Sequence, residues 1–212
     1  MLKNKLLVAA LASAFAMPAM AGDFTPSSNV SLVNDYLYRG ISQTGGDPAI
    51  QGGLDYTHSS GFYLGTWGSN VGWLEDFQGY DKGNMEIDLY GGFRGPIGKS
   101  DFTFDVGAIQ YYYPGDKPAG VPDADTTEIY GALTYKWLSA KYSHSTGSLF
   151  GWTQPDGDKT KGSGYLELNG AYYAKGRNRG HAQSDQSASF NMIQPYRTGP
   201  NRGIYPTITI EP

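Results

Sequence analysis

The chain has 212 residues, no cysteine, and 16 basic against 20 acidic residues, a formal charge of -4. The length suits one ordinary domain or one all-β barrel. Absence of cysteine excludes a disulfide scaffold, a thiolate metal site and a cysteine nucleophile, and the acidic balance argues against nucleic acid as a partner.

Glycine stands at 30 residues, about twice its usual share, beside 17 tyrosines and only 17% charged residues. That mixture favours strands and turns over helices.

Residues 1–21 read as a secretory signal peptide. Lys3 and Lys5 open it, an apolar run extends from Leu6 to Met17, and Ala19-Met20-Ala21 supplies a small-x-small cleavage site. The run is shorter than the ~20 residues a membrane-crossing helix requires. Export is therefore expected.

Eight strand-like segments follow, over 29–39, 49–58, 62–71, 85–94, 101–112, 126–137, 139–146 and 165–174. Several alternate with period two, as a sheet with two unlike faces demands. In 85–94, Met85, Ile87, Leu89 and Phe93 oppose Glu86, Asp88, Tyr90 and Arg94. In 101–112, Phe102, Phe104, Val106 and Ala108 oppose Thr103, Asp105 and Gly107. In 126–137, Ile129, Leu133, Tyr135 and Trp137 oppose Glu128, Thr134 and Lys136. In 165–174, Leu166, Leu168 and Tyr172 oppose Glu167 and Asn169. Segment 62–71 fits either face. Gly52-Gly53, Gly91-Gly92 and Gly107 fall inside strands and read as barrel bends.

The connections alternate between long and short along the whole run, so a meander would carry tight turns at one end and large loops at the other. This is the plan of an outer-membrane barrel, whose strands need about 9–11 residues each. Aromatic residues cluster near strand ends, at Tyr36, Tyr38, Tyr56, Tyr111, Tyr112, Trp137, Tyr142 and Tyr172. Such rings favour the membrane interface. The expected fold is all-β: an antiparallel up-and-down transmembrane β-barrel over residues 22–174. Its apolar face would meet lipid, and its polar face would carry the lumen residues Asp35, Arg39, Gln51, Asp55, Glu86, Asp88, Arg94, Asp105, Glu128, Lys136, Lys141 and Glu167. Seven of these are acidic and four basic, which predicts a weak cation preference if they line water. An interior of only eight strands would instead be filled by its own side chains.

Residues 175–212 change character. They hold five basic and two acidic residues, against 9 and 18 in residues 22–174. A frameshift or truncation after about residue 174, or a polar and disordered tail, accounts for the reversal.

Three residue groups suggest other chemistry. His58 with Ser60, and His144 with Ser143 or Ser145, could serve a lipid-modifying hydrolase, but no nucleophile-elbow sequence accompanies them. The pairs Asp123 with Asp125 and Asp156 with Asp158 offer calcium-type oxygens without EF-hand spacing. His58, His144 and His181 are too scattered for a zinc site. No catalytic, metal or cofactor-binding residue is expected.

The stretch SNVSLVNDYLYRGISQTGGDPAIQGGLDYTHSSGFYLGTWGSNVGW, residues 28–73, resembles the start of the TorF porin family, exported proteobacterial proteins formerly grouped as conserved hypotheticals. NMEIDLYGGFRG (84–95), YKWLSAKYSHSTG (135–147) and GSGYLELN (162–169) extend the resemblance over about residues 28–174. It implies an outer-membrane barrel, with further strands to a total of about twelve, that passes small polar solutes or ions. A non-conducting structural or adhesive barrel is the alternative. The partners expected are outer-membrane lipid and those solutes, with the oligomeric state open.

Overall fold

The computed structural model describes residues 23–153, 159–170, 187–193 and 205–211. Within them an eight-stranded antiparallel sheet dominates, formed by β1 (Phe24–Val33), β4 (Ala49–His58), β5 (Phe62–Asn70), β6 (Met85–Pro96), β7 (Phe102–Tyr112), β8 (Thr126–Tyr135), β9 (Leu138–Ser145) and β10 (Gly164–Gly170). Spatial order follows chain order, so the sheet is a meander with β1 and β10 outermost among the described residues. A two-stranded ribbon, β2 (Leu37–Tyr38) with β3 (Ile41–Ser42), interrupts the first connection. Residues 187–193 (β11) and 205–211 (β12) pair with each other in a separate sheet. The expected leader at 1–21, residues 171–174 of the last expected strand with Tyr172, His181, Asp156 and Asp158 lie outside the described residues.

Over the described residues the expected strands match in order and, within a few residues at their ends, in place, with one larger shift. The first strand runs over Phe24–Val33 rather than 29–39. The chain leaves the sheet at Asn34-Asp35, because Asp35 has local partners. Its Oδ1 accepts hydrogen bonds from Ser42 Oγ at 2.6 Å and Thr44 Oγ1 at 3.0 Å. Short side-chain bonds of this kind compete with a ladder and hold turns.

The two-face pattern is realised with large contrast. Ile50 is 61% exposed, Leu89 56% and Ile129 50%, while Glu86 and Glu128 are 1% exposed and Asp88 6%. Val30, Leu32, Phe62, Leu64, Phe93, Phe102, Val106, Leu133 and Leu138 extend the exposed apolar face across the sheet. Segment 62–71 resolves in favour of Phe62 and Leu64 outward, with Tyr63 buried on the opposite face.

The hydrophobic core lies at the ends of strands and in the long connections. Val71, Trp73, Leu74, Tyr80, Tyr111, Tyr113, Ala124 and Phe150 form one buried cluster. Ala124 N–H donates to Tyr80 Oη at 3.1 Å, and Gln78 Nε2 donates to the Phe150 carbonyl at 3.1 Å. These bonds bind three long connections into one cap. The opposite end has tight turns: His58 and Phe62 flank three residues, and Tyr135 pairs with Leu138 across Lys136-Trp137.

Candidate functional site

The polar face is organised around glycines that make room for tyrosines. Tyr90 of β6 stands opposite Gly65 of β5, which in turn stands opposite Asp55 of β4. A Cβ on Gly65 would fall 2.6 Å from the Tyr90 ring. The ring lies over this gap, and its hydroxyl donates to Asp55 Oδ1 at 2.6 Å. One row along, Tyr63, Gly92, Gly107 and Tyr130 follow each other across four strands. The two tyrosines lean over the two glycines until their hydroxyls meet at 2.5 Å, and Tyr63 Oη also donates to Asp105 Oδ1 at 2.6 Å. The in-strand glycines expected as bends therefore seat aromatic rings at Gly92 and Gly107, as an aromatic covering a cross-strand glycine does. Lys141 Nζ sits 4.3 Å from the Tyr130 ring centre, and the Arg94 guanidinium 4.9 Å from that of Tyr63.

Nearer the long connections a second layer is built from outside the sheet. The β2–β3 ribbon turns through Arg39-Gly40, with φ of 50° and 80°. Two consecutive positive φ values are those of a two-residue type I′ hairpin, which glycine tolerates and arginine resists. The strained Arg39 reaches Glu128 of β8, giving Nη1–Oε1 at 2.9 Å and Nη2–Oε2 at 2.7 Å. Its guanidinium also stacks 4.0 Å from the Tyr165 ring centre. Burial opposes the Arg39 charge, but its hydrogen bonds to Glu128, together with the electrostatic pull of Tyr38, Glu128 and Tyr111, outweigh burial and raise the pKa. Tyr36 Oη and Tyr113 Oη each donate to one oxygen of Glu86 at 3.0 Å. Tyr38 Oη donates to Tyr111 Oη at 3.0 Å, which donates on to Glu128 Oε2 at 3.4 Å. Burial first, then the Glu86 and Asp88 charges, push the Tyr36 hydroxyl well above its ordinary pKa.

The residues expected on the polar face divide into four groups. Asp55, Glu86, Asp105 and Glu128 meet the tyrosines and Arg39 just described, and Asp88 is buried on the same face. Gln51, Lys141 and Glu167 are half-buried on the same face, with Lys141 and Glu167 opposite each other in register. Arg94 shares the face but is exposed near the tight turns, where Nη2 donates to Thr57 Oγ1 at 3.2 Å. Three lie outside the eight-stranded sheet. Asp35 is in the first connection, Arg39 is in the hairpin turn, and Lys136 stands in a tight turn beside Asp101, with Nζ–Oδ2 at 3.3 Å. Lys136 was expected within the strand 126–137. That strand ends at Tyr135 because β9 must pair back on Leu138.

Sequence periodicity missed the inward role of Tyr36, Tyr38 and Tyr111, expected as interfacial rings. They are drawn into the Glu86 and Glu128 networks. Tyr112, Trp137 and Tyr142 do point outward and are exposed. An aromatic cavity of about 240 Å³, lined among others by Tyr38, Trp73, Phe150, Trp152 and Tyr165, opens beside Arg39.

The alternative chemistries find this geometry. His58 Nδ1 and Ser60 Oγ are 2.7 Å apart, but the Ser60 backbone N–H also donates to Nδ1, and exposed Asp23 approaches Nε2 only to 3.7 Å. This is a local turn contact on an exposed edge. Asp123 pairs with Lys117 at 2.7 Å. Asp125 Oδ1 accepts the Tyr113 N–H at 2.9 Å, and burial raises its pKa. Among the described residues no group of three His, Cys, Asp or Glu side chains could hold a metal ion.

A family profile described as "Bacterial protein of unknown function (Gcw_chp)" matches residues 18–178. The chain belongs to this family. The matched span covers the whole eight-stranded sheet and both layers of the polar face. Neither a curated protein nor a solved structure matches the chain.

Proposed function

We propose that the protein is an outer-membrane β-barrel of the porin kind, close to the TorF porins its sequence resembles, and passes small polar solutes or ions by diffusion. The observation that carries this reading is the inverted placement of apolar and charged residues. Carboxylates at 86, 88 and 128 are buried, while Ile50, Leu89 and Ile129 on the other face are more than half exposed or close to it. A soluble monomer rarely shows a continuous apolar surface of this kind. In lipid the same surface is matched to its solvent, and backbone groups must all be paired within the sheet, which requires β1 and β10 to be joined directly or through added strands. The single-sided long connections would then face outward from the cell and the tight turns the periplasm. No catalytic step is assigned to any residue.

The Tyr–carboxylate layers favour a second reading, a non-conducting structural barrel. Rings and ion pairs across the polar face fill an interior as small as eight strands would enclose. Two measurements separate these readings. Outer-membrane extraction followed by electrophoresis with and without boiling tests the barrel, since a closed barrel migrates differently before it is unfolded. Planar-bilayer recording of the purified chain tests the pore. Discrete conductance steps support it, and a heat-modifiable protein without steps leaves the structural barrel.

A further inference from the structure

We infer that Glu86 and Asp88 form a binding site for one alkali-metal cation at the long-connection end of the polar face. The charge balance is the starting point. Glu86, Asp88 and Glu128 bring three carboxylates into this layer, and the Arg39 guanidinium directs both terminal nitrogens at Glu128. Among the described residues no ion pair involves Glu86 or Asp88. Asp88 is 6% exposed, and its Oδ1 is buried with no hydrogen-bond donor among the described residues. An ionised oxygen left so costs several kcal/mol. A cation in contact with it removes that cost.

The surroundings suit a weakly hydrated monovalent ion. Residues 86 and 88 leave the same face of β6 about 7 Å apart along the strand. Tyr36 and Tyr113 spend their hydroxyl protons on Glu86, which leaves neutral hydroxyl oxygens as acceptors beside it. A divalent ion asks for more anionic oxygens, whereas two carboxylates with the Tyr36 and Tyr113 hydroxyls beside Glu86 suffice for a single charge. Binding here stands independently of transport. Its consequence, a passage selective for cations, rests on the porin reading.

The test uses the full chain refolded in detergent micelles, with thermal unfolding followed in lithium, sodium, potassium, caesium and choline chloride at one ionic strength. At least one alkali cation is expected to raise Tm over choline by about 3 °C in a saturable way. Asp88→Asn is expected to abolish the difference while still folding. Should that variant not refold, Glu86→Gln carries the same comparison. Equal Tm in all five salts overturns the site, as does a cation effect that survives in Asp88→Asn. A second arm records reversal potentials under a potassium chloride gradient. Cation selectivity lost in Asp88→Asn joins the site to the passage. Cation-dependent Tm in a chain that never conducts upholds the site and refutes the porin reading.

Discussion

Replacing Arg39 by methionine probes the joint between the first connection and the sheet. The substitution keeps an unbranched stem and the left-handed strain at φ 50°, so the difference chiefly reports the guanidinium. Two charge-assisted hydrogen bonds of 2.9 and 2.7 Å disappear. Glu128, 1% exposed, is left with the Tyr111 hydroxyl at 3.4 Å. Removing one partner of a buried pair costs about 3–5 kcal/mol, chiefly through the stranded charge. Loss of the stack on Tyr165 adds about 0.5–2 kcal/mol. Against a total stability of about 5–15 kcal/mol, that loss is a large fraction of the whole. Glu128→Leu added to Arg39→Met removes the stranded charge, and most of the loss is expected to return. The assay is urea unfolding in micelles followed by tryptophan fluorescence, run at low salt and at about 1 M, where a buried pair is barely screened. A loss below about 1 kcal/mol for the single variant, or a double variant no more stable than the single, refutes the argument.

Other substitutions test separate parts of the structure. Leu89→Lys places a cation in the middle of the apolar face and is expected to cost about 2–4 kcal/mol in a membrane; bilayer insertion unchanged by it would contradict the lipid-facing assignment. Gly107→Ala puts a Cβ 2.6 Å from the Tyr130 hydroxyl and 2.6 Å from the Gly91 carbonyl, and a loss of about 1–3 kcal/mol in the same unfolding assay is expected. Asp125 has a raised pKa in the folded chain, so the unfolded chain releases its proton first. Stability should therefore fall as pH rises from the ordinary aspartate range through the folded value. Asp125→Asn, which keeps an acceptor for the Tyr113 N–H, should flatten that part of the pH profile. An unchanged slope would show that the buried carboxyl is not its source.

Strand positions and the two faces of the sheet are legible in the sequence because a strand's side chains alternate by covalent geometry alone. Leu89 outward and Asp88 inward follow from period two, and the register then carries the same division to Leu133 and Glu128. The alternation of long and short connections likewise needs only the spacing of these runs. The inward turn of Tyr36 and Tyr38 has no such local signature, and Arg39, legible on the polar face, carries no sign of its partner. Their partners Glu86, Tyr111 and Glu128 lie 50, 73 and 89 residues away. The tight turn at Arg39-Gly40 shows only in the folded backbone, since periodicity carries the first strand to residue 39.

Glycines 65, 92 and 107 show the same boundary. Sequence marks Gly92 and Gly107 only as bends and does not single out Gly65, and the strand register reveals that tyrosine rings occupy the space. The period-two pattern, the glycines and the connection lengths are local and determined by the chain itself. The pairing of a hairpin arginine with a distant glutamate, the orphaned oxygen of Asp88 and the placement of the core among the long connections were decided by tertiary structure. They depend on which elements adjoin in space, and backbone periodicity holds no information about that.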